Sequence, residues 1–391
     1  MCFIHAQEIY MRRLLVVQPY VPKYRVPLFD YLATELLSHG FEFRVAAATP
    51  VGEQSARVDA ALPDSSAIPL RQHQLRLGQH SINIRHVSPI MRDYRPHLVI
   101  VEQAVKNLES WKLLIGRSRQ PPLVGLWGQG APYSQRPHQI ALRLRTEMTN
   151  RARWFFAYTQ EGAAYIGRHG FPQDRMTILR NSTDTVRLRK DLAKLTTVDV
   201  DSFMTSHSLI RGKTGLFLGG IDSRKGIDFL LRAVRQIQID EPDFRLLVAG
   251  AGSEVELVGV AQTQGLAITY LGPLVGTEKA LALAACDFLL IPQWVGLVAT
   301  DALAAGKPIV TTHHYTHAPE FAYLDEGTSR LTAEHEVNAY SSLVRKLIRD
   351  PDRLQSMQTN CYEIGANFSI QLMGANFVRG ITEWAERDLR I

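Results

Sequence analysis

The feature that most constrains this chain is a rhythm. Short apolar runs end in glycine-containing turns and lead into amphipathic helical stretches, again and again. Such alternation is the mark of parallel strands covered by helices. In the first half the apolar runs fall at 14–18, 43–47, 97–101, 123–127, 154–158 and 176–179, with helical stretches such as 27–38 and 161–169 between them. Gly40 and Gly170 stand just past those two helices, where a glycine ends a helix best. Residues 187–213 break the rhythm, being polar and reading as a helix followed by a linker. The alternation then restarts, with strands expected at 214–218, 245–249, 269–271, 288–291 and 308–311 and helices at 227–237, 254–264, 277–284 and 300–305. A final helical stretch, 370–390, follows once the second series is complete, and no short tandem repeat is visible. Two doubly wound α/β domains are therefore expected, over 11–190 and 191–369, with 370–391 packing back on the first.

A chain of 391 residues suits two such domains, and 46% hydrophobic with 21% charged residues is a globular composition. No apolar run reaches the roughly 18 residues of a membrane span. The first ten residues lack a basic start and carry an acid, so they do not read as a secretion signal, and folding information is expected to begin near Met11. Cys2, Cys286 and Cys361 have no CxxC spacing and suit a reducing cytoplasm. Charge is uneven. Residues 1–190 hold 26 Lys+Arg against 14 Asp+Glu (+12), which leaves 18 against 24 (−6) for the remainder. A basic domain faces something anionic or is simply well solvated. No aromatic-basic interleaving accompanies the charge, which argues against nucleic acid.

Three segments of the second half carry chemistry. Gly219-Gly220-Ile-Asp-Ser-Arg224-Lys225-Gly226 follows an expected strand and opens a helix. Its backbone N–H groups and helix N-terminus suit an anion, Lys225 adds a full charge and Arg224 a second. Gly250-Ala-Gly252 forms a second turn at the carboxyl end of the next strand, where open parallel sheets bind ligands. The third runs from Asp287 through Pro292-Gln293-Trp294-Val295-Gly296-Leu297 and Asp301 to Gly306-Lys307-Pro308.

This third segment closely resembles the strand, glycine loop and helix of retaining GT-B glycosyltransferases of family four, the glycosyl transferases group 1. The KG loop, the Gly250 turn, Tyr270-Leu-Gly272-Pro273 and His317-Ala-Pro-Glu320 fall in the family's order, as do 21–29 and Asn181-Ser-Thr-Asp184 in the first half. The resemblance implies two Rossmann-like domains facing a central cleft. It also implies a hexosyltransferase that moves a sugar from a nucleotide-diphosphate donor, whose base it does not specify, to a hydroxyl of a glycan, lipid-linked or small-molecule acceptor. No metal is implied, since helix dipoles and Lys/Arg neutralise the leaving diphosphate. The donor side implied comprises Gly219, Gly220, Gly250, Gly252, Pro273, Val295, Gly296, Leu297, Asp301 and Glu320, with Lys225, Arg224 and Gln293 at the reacting centre. The family's two glutamates eight apart fall on Gln293 and Asp301, and its arginine after the first glycine falls on Gly220. A glutamine offers only an amide dipole where a carboxylate stood. These departures keep open a non-catalytic sugar-nucleotide or glycan-binding subunit. A sugar-nucleotide epimerase of the same architecture would need clustered carboxylates, which are not found.

In the first half, Trp127-Gly128-Gln129-Gly130 follows a strand, and relatives often place a histidine near Gln129, which the resemblance makes a further candidate at the reacting centre. The loop after the first strand is the usual acceptor site of such enzymes and offers Lys23, Tyr24 and Arg25, and Glu102 follows a later strand. A basic helical stretch carries Arg136, Arg143, Arg145, Arg151 and Arg153 among Ile140, Leu142, Leu144 and Trp154. It suits an anionic membrane surface, and hence a peripheral place on the inner membrane face, or else an ordinary surface helix. His313, His314 and His317 are close in sequence but have no carboxylate pair beside them, so a ligand-facing loop is expected there rather than a metal site.

Overall fold

A computed structural model of the chain describes residues 11–49, 66–77, 80–116, 122–133, 138–314 and 317–389. Cys2, the ten leading residues and Arg136 lie outside them. The chain divides into two compact units, the first formed by residues up to Pro132, those from 138 to Arg180 and those from Gln371 onward, the second by Tyr133 and Asn181–Ile370.

The first unit holds a seven-stranded parallel sheet and a hairpin. Its strands are β1 (Arg12–Gln18), β2 (Phe41–Ala47), β3 (Ala67–Pro69), the hairpin pair β4 (Gln72–Leu77) and β5 (His80–Arg85), then β6 (Leu98–Glu102), β7 (Leu123–Gly128), β8 (Trp154–Ala157) and β9 (Met176–Ile178). The sheet order is β3-β2-β1-β6-β7-β8-β9. Both faces of the central strands are buried, and for that reason Leu14–Val17 and Leu98–Val101 read as unbroken apolar runs. Leu15 and Val17 of β1 and Val99 and Val101 of β6 pack with Val124, Leu126 and Phe155 into one core.

The other face is covered by the final helix, Ile370–Asp388. Phe377 stacks on Phe156 (4.9 Å) and meets Trp127 edge-on (5.0 Å). Asn376 donates to the Leu179 carbonyl (3.3 Å), and Arg387 pairs with Asp174 (2.6 Å). Gly374 lets this helix lie directly on the Tyr31 ring, which a Cβ there would strike.

The second unit is a six-stranded parallel sheet of β10 (Thr214–Leu218), β11 (Arg245–Ala249), β12 (Ile268–Gly272), β13 (Phe288–Leu290), β14 (Ile309–Thr312) and β15 (Arg330–Ala333), ordered β12-β11-β10-β13-β14-β15. Numbered within the unit this is 3-2-1-4-5-6, the order of a dinucleotide-binding sheet. The helix Ile227–Asp240 buries Ile227, Leu230, Val234 and Ile237 against it, at helical spacing.

Several elements differ from the sequence expectation. The hairpin β4–β5 and the helices Ser88–Tyr94 and Leu108–Ile115, on either side of the expected strand β6, were not among the expected elements. Residues 187–213 are not a helix and a linker. They hold the end of one helix, Thr185–Lys194, and a second, Thr197–Ser206, whose start is fixed by a capping box in which Thr196 and Asp199 each accept from the other's backbone N–H. β15 and the helices Val337–Ile348 and Pro351–Ile364 complete the second unit beyond the elements expected for it. Gly40 (φ 76°) and Gly170 (φ 97°) do end their helices in the left-handed region.

Arg145 changes role. Its guanidinium donates to the Gly130 and Ala131 carbonyls (both 3.1 Å) and to Gln103 Oε1 (2.7 Å), clamping the loop after β7 instead of lying free on a basic face. Arg151 pairs with Glu147 (2.6 Å), while Arg143 and Arg153 are exposed.

Candidate functional site

In a doubly wound sheet a crevice opens where the strand order reverses, because the loops leaving the two strands diverge. In the second unit that place lies between β10 and β13. The loop after β10 turns at Gly219 (φ 144°), and Gly226 (φ 69°) hands it to the following helix. Asp222 accepts from the Arg224 backbone (3.1 Å) and pairs with the Arg224 guanidinium (3.0 Å), which also lies 5.6 Å from the Trp294 ring. Arg224 is thus exposed and engaged, whereas Lys225 folds inward. Its Nζ reaches across the reversal to the Trp294 carbonyl in the loop after β13 (2.7 Å). Burial brings the Lys225 pKa down to about 8. The Arg224 charge pushes the same way, and the carboxylates of Asp222 and Glu320 oppose it. A half-desolvated ammonium held by one carbonyl is well prepared to exchange that partner for an anion.

The Gly250 turn supports this loop from beneath. Gly219 N–H donates to Ala249 O (3.0 Å) and Ile221 N–H to Ala251 O (2.9 Å). A Cβ on Gly250 would overlap the Gly219 carbonyl oxygen, and one on Gly252 the Ile221 carbonyl oxygen. These two glycines therefore let one backbone lie against another. Pro273 is exposed at the end of β12.

On the β13 side, Trp294 is a non-glycine residue in the left-handed region (φ 50°), a conformation that persists only when its surroundings enforce it. The enforcement comes from His317. Its Nδ1 accepts from Val295 N–H (3.1 Å), its Nε2 donates to the Thr312 carbonyl (3.0 Å), and its ring stacks on Phe321 (4.1 Å). Burial lowers its pKa to about 4, so the ring stays neutral and holds the loop. Leu297 is half-buried, and Gly296 packs against Ala318, with Glu320 just beyond.

Glu320 is buried and accepts from Asn181 Nδ2. Asp301, also buried, accepts from Thr183 Oγ1 (2.8 Å) and pairs with Lys279 (3.0 Å). The 181–184 stretch thus enters the second unit as the support of both carboxylates. Gln293 lies over Gly226, whose Cα leaves no room for a Cβ (2.7 Å from Gln293 Cδ), and its Nε2 meets His335 Nε2 (3.2 Å). Lys225, Arg224, Gln293, Val295, Gly296 and Glu320 are thereby gathered around one reversal. Thr183 belongs to the Asn181–Asp184 segment that the resemblance picks out, whereas Lys279 and His335 have no sequence signal beyond their residue types. Among the described residues no group of three His, Cys, Asp or Glu is placed to hold a metal ion.

The first unit has its own reversal, between β1 and β6. Val16 pairs with Ile100 and Glu102 with Trp127, so Gln18, Glu102 and Trp127 follow one another on the same face of three strand ends. Gln18 Nε2 and Trp127 Nε1 are buried without a hydrogen-bond partner among the described residues. Burial raises Glu102 to about 7, and Glu109 adds to the rise, while Arg85, Asn107 and Arg25 resist it. Arg85 and Glu109 form a fully buried ion pair beside them. Arg25 is buried, its guanidinium 5.2 Å from the Trp127 ring and bonded to Met373 Sδ (3.4 Å), while Lys23 and Tyr24 of the same short helical turn are exposed. Gln129 is half-buried, and its carbonyl lies against Gly162. Gln18 carries no sequence signal as the last residue of an apolar strand, and Trp127 entered the sequence analysis only as the start of the 127–130 turn.

Comparison with known proteins accords with this geometry. Residues 212–350 match the family model of the glycosyl transferases group 1. The phosphatidyl-myo-inositol mannosyltransferase of Mycobacterium tuberculosis is 36% identical over 124 residues, 29% of this chain and 33% of that protein. A D-inositol 3-phosphate glycosyltransferase of Catenulispora acidiphila is 32% identical over 168 residues, 39% of each. The chain thus spans a third to two-fifths of the length of these two relatives. Among solved structures, Anabaena HepE in complex with UDP superposes with a TM-score of 0.68 at 15% identity, covering 95% of this chain and 99% of that one. The fold is that of the GT-B glycosyltransferases, two parallel-sheet α/β domains. The second unit carries a glycosyl transferases group 1 domain.

Proposed function

We propose that this chain is a retaining hexosyltransferase, moving a sugar from a nucleotide-diphosphate donor to a hydroxyl of a glycan, lipid-linked or small-molecule acceptor. The observation that carries the reading is Lys225, desolvated and aimed across the strand reversal of a dinucleotide-type sheet between two glycine loops. The names of the relatives and the UDP bound by HepE support it. In this reading the diphosphate sits over the 219–226 loop, and Lys225 and the loop N–H groups stabilise the charge that develops as the anomeric C–O bond breaks. The acceptor oxygen then takes the anomeric carbon, and its proton leaves with the diphosphate. Asp301 serves the donor ribose, with Lys279 and Thr183 fixing its carboxylate, and Glu320 serves the sugar. The retained configuration and the hexose rest on the family resemblance.

The acceptor belongs, in the same reading, to the first unit. There the row of Gln18, Glu102 and Trp127 offers two N–H groups that have no partner among the described residues, and a carboxyl with a raised pKa, to a polar hydroxyl compound. Exposed Tyr24 and Lys23 border it, and Arg25 acts through Trp127. Exposed Arg143 and Arg153, beside exposed Ile140 and Leu144, suit an anionic lipid surface that would hold the enzyme near a lipid-linked acceptor. No helix of the described residues is long and apolar enough to cross a membrane.

Transfer and donor hydrolysis measured with a panel of nucleotide sugars test the reading. Turnover with at least one donor is expected, and Lys225→Ala should lower it by about two orders of magnitude. A folded protein that binds a nucleotide sugar without turning it over would favour the binding-subunit alternative. Turnover unchanged in Lys225→Ala would refute the phosphate role.

A further inference from the structure

Gln293 stands where the family resemblance places a carboxylate, and the atom it offers depends on which way its amide is turned. That orientation follows from a chain of hydrogen bonds. The Pro292 carbonyl can only accept, so Thr312 Oγ1 donates to it (2.7 Å). With its proton committed, Thr312 Oγ1 can only accept from His335 Nδ1 (3.0 Å), which fixes the His335 proton on Nδ1. His335 Nε2 is then bare and accepts from the Gln293 amide nitrogen (3.2 Å). Gln293 Oε1 has no hydrogen-bond donor among the described residues. We infer that His335 is a positioning residue. By taking up the Gln293 amide nitrogen, it keeps the carbonyl oxygen of Gln293 as the atom available to a ligand over the Gly226 loop.

The inference rests on the donor-site reading for its consequence but not for its geometry. A carbonyl oxygen favours an electron-deficient sugar, and an amide NH2 opposes it. Protonating His335 places a second N–H against the Gln293 amide nitrogen. The amide must then rotate by half a turn, giving Oε1 to the ring and offering NH2 to the ligand. The site is built to delay that event. His335 is exposed at its edge, but the partial desolvation of its ring and the Arg232 charge both hold its pKa below the ordinary value. Arg232 belongs to the helix Ile227–Asp240, as does Phe229, whose ring stacks on the imidazole (4.5 Å). From the loop after β14, His314 lies 4.9 Å away and is itself lowered by burial and by His335. Glu334 and Glu336 flank His335 in its own segment and are exposed.

Nitrogen-edited histidine spectra of the full chain decide the geometry. The proton should sit on His335 Nδ1 at pH 7.5, and the Gln293 side-chain amide signal should shift as His335 titrates. A proton on Nε2, or a Gln293 signal indifferent to that titration, overturns the proposal. The consequence is read with UDP-glucose, or whichever nucleotide sugar the panel finds to turn over. His335→Phe keeps the ring on Phe229 and removes the acceptor. It should lower kcat about tenfold, with KM changed less than about twofold, and abolish the fall in kcat that protonation of His335 is expected to cause in wild type on acidification. A His335→Phe enzyme with wild-type kcat and an intact acid limb refutes the role. If wild type turns over no nucleotide sugar, the transferase reading fails, and the spectra still decide the His335–Gln293 arrangement.

Discussion

The two strand reversals of this molecule are built from different materials. Between β10 and β13 the scaffold is backbone, with Gly250 and Gly252 pressed against the carbonyls of Gly219 and Ile221 and one lysine reaching over. Between β1 and β6 the corresponding place is made of large side chains. Arg25, Trp127, Phe29 and Phe377 pack together there, and Gln18, Glu102 and Trp127 share a face above the ordinary sheet core. A backbone-built site has its shape set by which residues lack a side chain. A side-chain-built site can be altered one residue at a time without disturbing the sheet. The first kind suits a ligand part that is constant, such as a diphosphate, and the second a part that differs from enzyme to enzyme.

The sharpest way to break this comparison is Gly250→Ala. The residue sits at φ 145°, and its new Cβ would overlap the Gly219 carbonyl oxygen, in a loop tied to the 249–251 turn by the Gly219 N–H to Ala249 O and Ile221 N–H to Ala251 O bonds. Neither chain can yield without losing those bonds. Loss of about 4 kcal/mol or more is expected in chemical denaturation. A variant within about 1 kcal/mol of wild type would mean that the two loops are not interlocked as described.

A second, smaller effect sharpens the role of Lys225. Its ammonium has a pKa of about 8 in the absence of ligand, and an adjacent diphosphate would raise that value by favouring the charged form. Below pH 8 the lysine is already protonated and nucleotide affinity should be flat. Above pH 8 binding must take up a proton, so affinity should fall by up to about tenfold per pH unit until the bound pKa is reached. Calorimetry of UDP binding at pH 9 in buffers of different ionisation enthalpy measures that uptake directly. No proton uptake, or an affinity independent of pH, would remove Lys225 from the diphosphate.

The same contrast explains what could be read from the residues alone. The second unit's loops were legible because glycines at fixed spacing after apolar runs are a local pattern, and a backbone site writes itself as such spacing. Lys225 was legible for the same reason. His335 and Lys279 were not, since each acts from an element that arrives later in the chain or from a helix face that reads as ordinary surface. In the first unit, Gln18, Arg25, Glu102 and Trp127 come from three strands and a turn, and only the sheet order brings them together. Arg145 illustrates the opposite error. Its helix looked like a basic face, and the carbonyls of Gly130 and Ala131 that it clamps belong to a loop whose course no local pattern reveals.

The smallest effect concerns Glu102, and it separates a residue kept for stability from one kept for a ligand. Its folded pKa, about 7, lies above the ordinary 4.5 because burial disfavours the carboxylate, helped by Glu109. A carboxyl with a raised pKa binds its proton more tightly in the folded chain. Wild-type stability should therefore decline as pH rises from 4.5 to 7 and stay lowered above it. Glu102→Gln keeps the shape of the neutral acid and removes the charge. At pH 8 it should stabilise the protein by about 1 kcal/mol, discounted because the residue is only half-buried, or roughly 2–4 °C in Tm. At pH 4.5 the two proteins should melt together. The Arg85–Glu109 pair remains intact, so no new unpaired charge offsets the gain. If Glu102 belongs to the acceptor site, the stabler variant should pay with a higher KM for the acceptor and an unchanged KM for the donor. A stability gain equal at both pH values would show that burial of the carboxylate is not its source. An unchanged acceptor KM would return Glu102 to the core.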